Sequence, residues 1–170
     1  MKPSVPHLLI TPHYIRKTGK LEVSVSLELN LMRYRSRTCW LEPACIVTPD
    51  TDTEVSQIMT ILSVFRTKFA VRSGGHFEAP GFNGVGGDGV LVALSNLKKL
   101  ALSNDRKVLT LGPGQRWGPV YDFVNPYNVT VLGGRQPMVG VGGLLLGGGL
   151  SLFYNTYGIS LSRVSRYHVS

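Results

Sequence analysis

From Cys45 onward the apolar and polar positions follow two periods. Cys45-Ile46-Val47 is a short apolar run, predicted as a strand and broken by Pro49-Asp50-Thr51. Thr51 stands three residues before Glu54, the spacing of a capping box at a helix start. Val55, Ile58, Met59, Leu62 and Phe65 then fall on one helical face, which makes the Met59 sulfur a core atom rather than a ligand. Phe69-Ala70-Val71 predicts the next strand and completes a β-α-β unit. Val90 to Leu94 reads as a buried strand. Leu100 to Leu102 and Val108 to Leu111 flank Ser103-Asn104-Asp105-Arg106 as a hairpin or tight connection. A short helix is expected from Trp117 to Val124, closed by Asn125-Pro126. A strand is expected at Val129 to Leu132, then a glycine-rich loop from Gly133 to Gly149. Val164 to Val169 alternates like a further strand. Upstream, Leu21 to Leu29 alternates at period two, as an edge strand or part of a loose leader. These elements predict an α+β domain, incomplete at its C-terminus, with no internal repeat.

Composition narrows the class. The chain has 170 residues, 43% hydrophobic and 16% charged, enough for one domain with a real core. Its formal net charge of +8 invites a nucleic-acid reading. The distribution argues against it: residues 1–38 carry seven basic side chains against Glu22 and Glu28, and the remaining segment is far nearer neutrality. No aromatic residues interleave with a basic run as a stacking platform requires. Cys39 and Cys45 are too few for a disulfide scaffold and lack zinc-site spacing. The longest apolar stretch, Met138 to Leu150, is broken by six glycines, so no membrane span is expected. The N-terminus makes a poor signal peptide, which puts the chain in the cytoplasm by default.

Glycine changes the picture. Of twenty glycines, nineteen lie after residue 73. A chain that turns glycine-rich needs positive φ at many sites, or its backbone close to something. Gly84-Val85-Gly86-Gly87-Asp88-Gly89 matches a dinucleotide fingerprint literally but runs into a strand rather than a helix, so it reads as a turn. Gly142 to Gly147 has P-loop spacing, yet Gly148-Gly149 stand where Lys and Ser/Thr belong. Gly143-x-x-x-Gly147 reads as close packing. His7, His13, His76 and His168 form no metal-ligand spacing, so no metal site is expected. Ser73 lies beside His76, but outside a nucleophile elbow. Arg72-Ser73-Gly74-Gly75-His76 instead suits an anion-binding nest of backbone amides. A second loop, Gly133 to Gly143, could do the same or pack flat against a ring system. Two such loops suggest one extended ligand gripped from two sides; two long glycine turns explain the spacing equally well.

A set of ordered motifs carries more. Cys45 to Pro49 with its capped helix, Phe69 to His76, Pro80-Gly81-Phe82-Asn83, Val108 to Gly114 with Trp117-Gly118, and Val139-Gly140-Val141-Gly142-Gly143 through Gly149 occur in that order. Over about Leu41 to Gly158 this resembles the fungal FAD-linked oxidoreductases of the berberine-bridge-enzyme-like group. Their FAD-binding domain is of the PCMH type, in the vanillyl-alcohol-oxidase superfamily. The resemblance implies a PCMH-type FAD-binding domain of two α+β subdomains over 41–170, truncated, with the substrate domain absent and residues 1–40 poorly matched. It implies FAD held by Arg72, Ser73, Gly74, Gly75, His76, Val139, Gly140, Gly142 and Gly143. His76 would be the covalent anchor, and the three glycines after Pro137 would lie where any Cβ meets the cofactor. It also implies a small-molecule substrate in secondary metabolism, hydride transfer from an alcohol or amine carbon, and oxygen as acceptor. Gln136 replaces the cysteine of relatives with a second tether, so a bicovalent flavin is excluded, and Leu144 replaces a histidine found in some relatives. The expected catalytic base would lie beyond Ser170. A remnant or flavin-binding partner chain without catalysis of its own is the alternative implied.

Overall fold

The computed structural model describes residues 37–169; the strand predicted between Leu21 and Leu29, His7 and His13 lie outside the described residues. The first unit comprises β1 (Cys45–Val47), α1 (Asp52–Val64), β2 (Lys68–Arg72) and β3 (Gly89–Ala93). Thr51 caps α1, its Oγ1 accepting the Glu54 amide at 3.2 Å. The Glu54 carboxylate reaches back to the Asp50 amide at 2.8 Å, one residue beyond the usual capping-box partner. The predicted apolar face ends at Leu62 rather than Phe65. Arg66, at φ 49°, turns the chain out of the helix and leaves Phe65 75% exposed.

The three strands run parallel in the order β1-β3-β2, with Cys45 opposite Val90 and Arg72 opposite Ala93. The centre position explains β3's unbroken apolar run, since a parallel strand is covered on both faces. Ile46, Ala70, Leu91 and Ala93 meet Val85 on one face; Val47 and Val92 meet Ile58 and Leu62 of α1 on the other. Leu91 and Val92 are each 1% exposed, and each contributes about 1.5–3 kcal/mol by burial. The glycine-rich segment before β3 is a turn: Gly89 donates its amide to the Gly86 carbonyl at 3.0 Å and starts the strand, with no helix after it.

A second unit holds the antiparallel pair β4 (Leu100–Leu102) and β5 (Leu109–Leu111), α2 (Trp117–Val124), α3 (Val141–Leu146) and α4 (Tyr154–Tyr157). Trp117, Val120 and Val141 form its centre, with Leu100, Leu109, Leu111 and Leu144 against them. The molecule is therefore α+β, with a core in each unit. Three expectations fail here. Val129 to Leu132 is not a strand: Val131 packs on the Trp117 cluster without a ladder partner. Val164 to Val169 alternates but pairs with no described strand, and period alone does not make a sheet. Gly133 to Gly149 is not one loop, because Val141 to Leu146 coils into α3. No described helix is long and apolar enough to cross a membrane.

Candidate functional site

The site is the junction of three connections. β2 ends at Arg72, which is only 2% exposed, and the chain enters Ser73-Gly74-Gly75-His76. Gly75 is buried and takes φ 65°, a left-handed turn that delivers a half-buried His76. Among the described residues neither Gly74 nor Gly75 donates its amide to another backbone carbonyl. Two amide donors are thus left in a glycine turn, the feature an anion-binding nest needs.

The second connection, Gly112 to Arg116, lies against the first. The Ser73 hydroxyl donates to the Pro113 carbonyl, so it joins two loops rather than standing as a nucleophile. The third connection runs from Gly133 to Gly140 and into α3. It is zipped to the start of α2: the Gly118 amide donates to Pro137 at 2.9 Å and the Trp117 amide to Val139 at 3.1 Å. The Val141 amide donates to the Gln115 carbonyl at 2.9 Å, and the Arg116 guanidinium donates to the Met138 carbonyl.

These ties press Gly74 onto Gly140. A Cβ on Gly74 would lie 2.5 Å from the Gly140 Cα, and one on Gly140 would lie 2.6 Å from the Gly74 Cα. A Cβ on Gly142 would lie 3.3 Å from Ser73 Oγ. The sequence-predicted residues Ser73, Gly74, Gly140 and Gly142 therefore meet. Val139 lies beside them through its backbone, its carbonyl carbon 3.5 Å from a Cβ on Gly74, and packs its side chain into the Trp117 cluster. Gly143 meets none of them: it is exposed, and a Cβ there would face open space. Close packing between Gly143 and Gly147 is thus not what keeps Gly143 small. The collision expected at Gly140 arises from the protein's own backbone.

Sequence reasoning passed over several supporting residues. The indole of Trp117 is 1% exposed and stacks on Tyr121 at 6.0 Å. A Cβ on Gly134 would lie 2.7 Å from Trp117 Cδ1, so this glycine makes room for a ring of the core. Tyr121 donates its hydroxyl to the Gly134 carbonyl at 2.9 Å, and burial pushes its pKa up. Cys39 is a buried thiol that donates to the Phe77 carbonyl at 3.5 Å, just past His76. Asn83 donates to the same carbonyl at 3.3 Å, and Phe77 meets Phe82 edge-on at 5.2 Å. The signal for Trp117 and Gly118 was their place in the ordered motifs; nothing local marked Cys39. Among the described residues, no three His, Cys, Asp or Glu gather as a metal site.

The residues present fit a phosphate-bearing cofactor on three counts: two amides without a backbone acceptor, a buried cation at the strand end, and open space over Gly143 on α3. Comparison with known proteins agrees. The FAD binding domain family model matches residues 43–169. The FAD-dependent monooxygenase yanF of Aspergillus niger is 56% identical over 134 residues, covering 79% of this chain and 23% of that protein. The FAD-dependent monooxygenase macF of Penicillium terrestre is 52% identical over 136 residues, covering 79% of this chain and 26% of that protein. Among solved structures, a chitooligosaccharide oxidase superposes with a TM-score of 0.73 at 25% identity, over 84% of this chain and 31% of that one. Wild-type BBE-like 1 of Physcomitrella patens superposes with a TM-score of 0.68 at 27% identity, over 82% and 31%. The chain spans about a quarter of the length of the curated relatives it matches.

Proposed function

The chain belongs to the FAD binding domain family, with FAD as its cofactor, and from that premise we propose that it is the cofactor-holding part of a flavin-dependent oxidoreductase. Residues 41–170 form the FAD domain in this reading, preceded by a poorly matched N-terminal segment, residues 1–40. FAD, when bound, would supply the redox chemistry, hydride abstraction from an alcohol or amine carbon of a small molecule with oxygen as the electron acceptor. The protein binds and orients. Gly74 and Gly75 present backbone amides to the diphosphate, Arg72 supplies a buried positive charge beside them, and Gly140 and Gly142 hold the second loop against the first. Gly143 leaves room for the cofactor along α3. His76 is positioned by Gly75 and is the proposed covalent anchor through an imidazole nitrogen to the flavin 8α-methyl carbon. A tether of this kind abolishes dissociation.

The observation that carries the reading is the contact of Gly74 with Gly140, two glycine loops from separate units meeting where the family match is continuous. The test is the absorbance spectrum of the expressed chain before and after acid precipitation. Yellow colour should stay with the pellet, and His76→Ala should release it to the supernatant. Colour that stays with the His76→Ala pellet sinks the tether, and a chain that never acquires flavin absorbance sinks the site. A second reading is a flavin-binding partner or remnant without catalysis of its own. Flavin-dependent oxygen consumption by the purified chain with an alcohol or amine would reject it.

A further inference from the structure

The chain has seven asparagines, and only Asn128 is followed two residues on by a serine or threonine, in Asn128-Val129-Thr130. That is the N-x-Ser/Thr spacing of an N-glycan acceptor, with no proline in the middle position. The fold sets this triplet on a fixed turn. The short 3-10 segment Asn125–Tyr127 ends at Asn128, whose backbone takes φ 54° and ψ 37° and whose amide donates to the Asn125 carbonyl at 3.0 Å. The turn is held from outside: the Arg106 guanidinium donates to the Tyr127 carbonyl at 3.3 Å and stands 6.0 Å from the Tyr127 ring centre. Phe123 packs its ring on Tyr127 at 6.0 Å. Asn128 and Thr130 are both exposed, with a half-buried Val129 between them. Among the described residues, neither the Asn128 carboxamide nor the Thr130 hydroxyl has a hydrogen-bond partner. A left-handed turn by itself accounts for an asparagine, which tolerates positive φ better than most residues. It asks nothing of residue 130.

We propose that Asn128 is an acceptor for an N-linked glycan. The transfer joins Asn128 Nδ2 to the anomeric carbon of an oligosaccharide carried on a polyprenyl diphosphate. The anomeric C–O bond breaks, the lipid diphosphate leaves with the electron pair, and one carboxamide proton passes to a base of the transferase. No oxidant or reductant takes part. Because the turn holds Asn128 at the surface, the folded chain has room there for a bulky, solubilising group. Val129 and Thr130 also line, with Asn125, Leu152 and Phe153, an open cleft of about 340 Å³. Leu152 is 77% exposed, so a glycan rooted beside this cleft shields apolar surface that is otherwise wet. The transfer takes place in the lumen of the endoplasmic reticulum. An occupied Asn128 therefore marks a chain that passes through it, against the cytoplasmic expectation drawn from the N-terminus. Neither Asn128 nor Thr130 belongs to the residues assigned to FAD, so the site stands whether or not that assignment does.

The experiment secretes the full chain from yeast behind a cleavable leader and follows its electrophoretic mobility before and after peptide N-glycosidase. The unaltered chain should migrate slowly and collapse to the unglycosylated position on digestion, leaving aspartate at residue 128 by mass spectrometry. Asn128→Asp, which tolerates the same backbone turn, should lose the shift. Thr130→Val, which keeps the branched shape without the hydroxyl, should lose it too, and Thr130→Ser should keep it. The glycan-bearing chain should melt no lower than the digested one, because Asn128 is exposed. A lumenal or secreted chain with no glycosidase-sensitive shift overturns the proposal, as does a shift that persists in Asn128→Asp. A Tm that rises when the glycan is removed would mean that the folded chain has no room for it, and overturns Asn128 as a site of the native molecule.

Discussion

At Gly74 and Gly140 a single hydrogen atom in place of a methyl group decides whether two loops can touch. The Cβ of an alanine at either position would meet backbone, which cannot swing aside as a side chain can. Gly74→Ala should therefore destabilise the flavin-free chain by about 1–3 kcal/mol, the usual cost of overpacking, and abolish flavin retention. Gly143→Ala is the contrasting case. Its Cβ meets no protein atom, so the Tm of the flavin-free chain should hold or rise slightly while flavin affinity falls. Measuring Tm and flavin absorbance on both variants separates protein packing from cofactor packing. A Gly143→Ala chain that binds flavin normally would remove α3 from the cofactor's path. Both glycines were legible in the sequence as members of ordered motifs. Which of them opposes protein and which opposes open space was not, because that depends on a contact between residues 66 positions apart.

At the level of elements, the local signals that named their own partners were the ones the fold kept. Thr51 and Glu54 satisfy the first turn of α1 from within four residues, and α2 begins and ends where Trp117 and Asn125 place it. Some elements whose existence depends on distant partners were not legible. Val129 to Leu132 and Val164 to Val169 have strand composition, but neither pairs with a described strand. The α3 helix hid inside a glycine run of poor helix propensity. Val141 and Leu144 hold it down on Trp117, a case of tertiary packing overriding intrinsic preference. The capped helix supplies the test at this scale. Thr51→Ala removes an acceptor from the Glu54 amide and should cost about 1 kcal/mol, with Thr51→Ser close to neutral. Urea unfolding of the three chains measures it; equal midpoints for Ala and Thr would mean that the Glu54–Asp50 contact alone supports the helix start.

For the molecule as a whole, charge and exposed apolar surface pull in opposite directions. Ile61, Val64 and Phe65 form an outward apolar stripe on α1, 54%, 71% and 75% exposed, at the i, i+3, i+4 spacing that brings side chains together. Leu146 and Leu152 add two more exposed apolar side chains at 76% and 77%. Surfaces of this kind favour association, and the net charge of +8 opposes it by repulsion between copies. The repulsion is long-ranged and screened by salt, whereas apolar contact is not. At 0.15 M ionic strength the screening length is about 8 Å, so adding salt should shift the balance towards association. Light scattering at fixed protein concentration should therefore rise with sodium chloride, the opposite of what a charge-mediated assembly would do. Val64→Glu with Phe65→Glu should raise the salt concentration at which scattering begins and leave folding stability within about 0.5 kcal/mol of the starting chain, because neither side chain is part of a core cluster. Scattering that falls with salt, or an onset indifferent to both substitutions, would mean that the α1 stripe is not what brings the copies together.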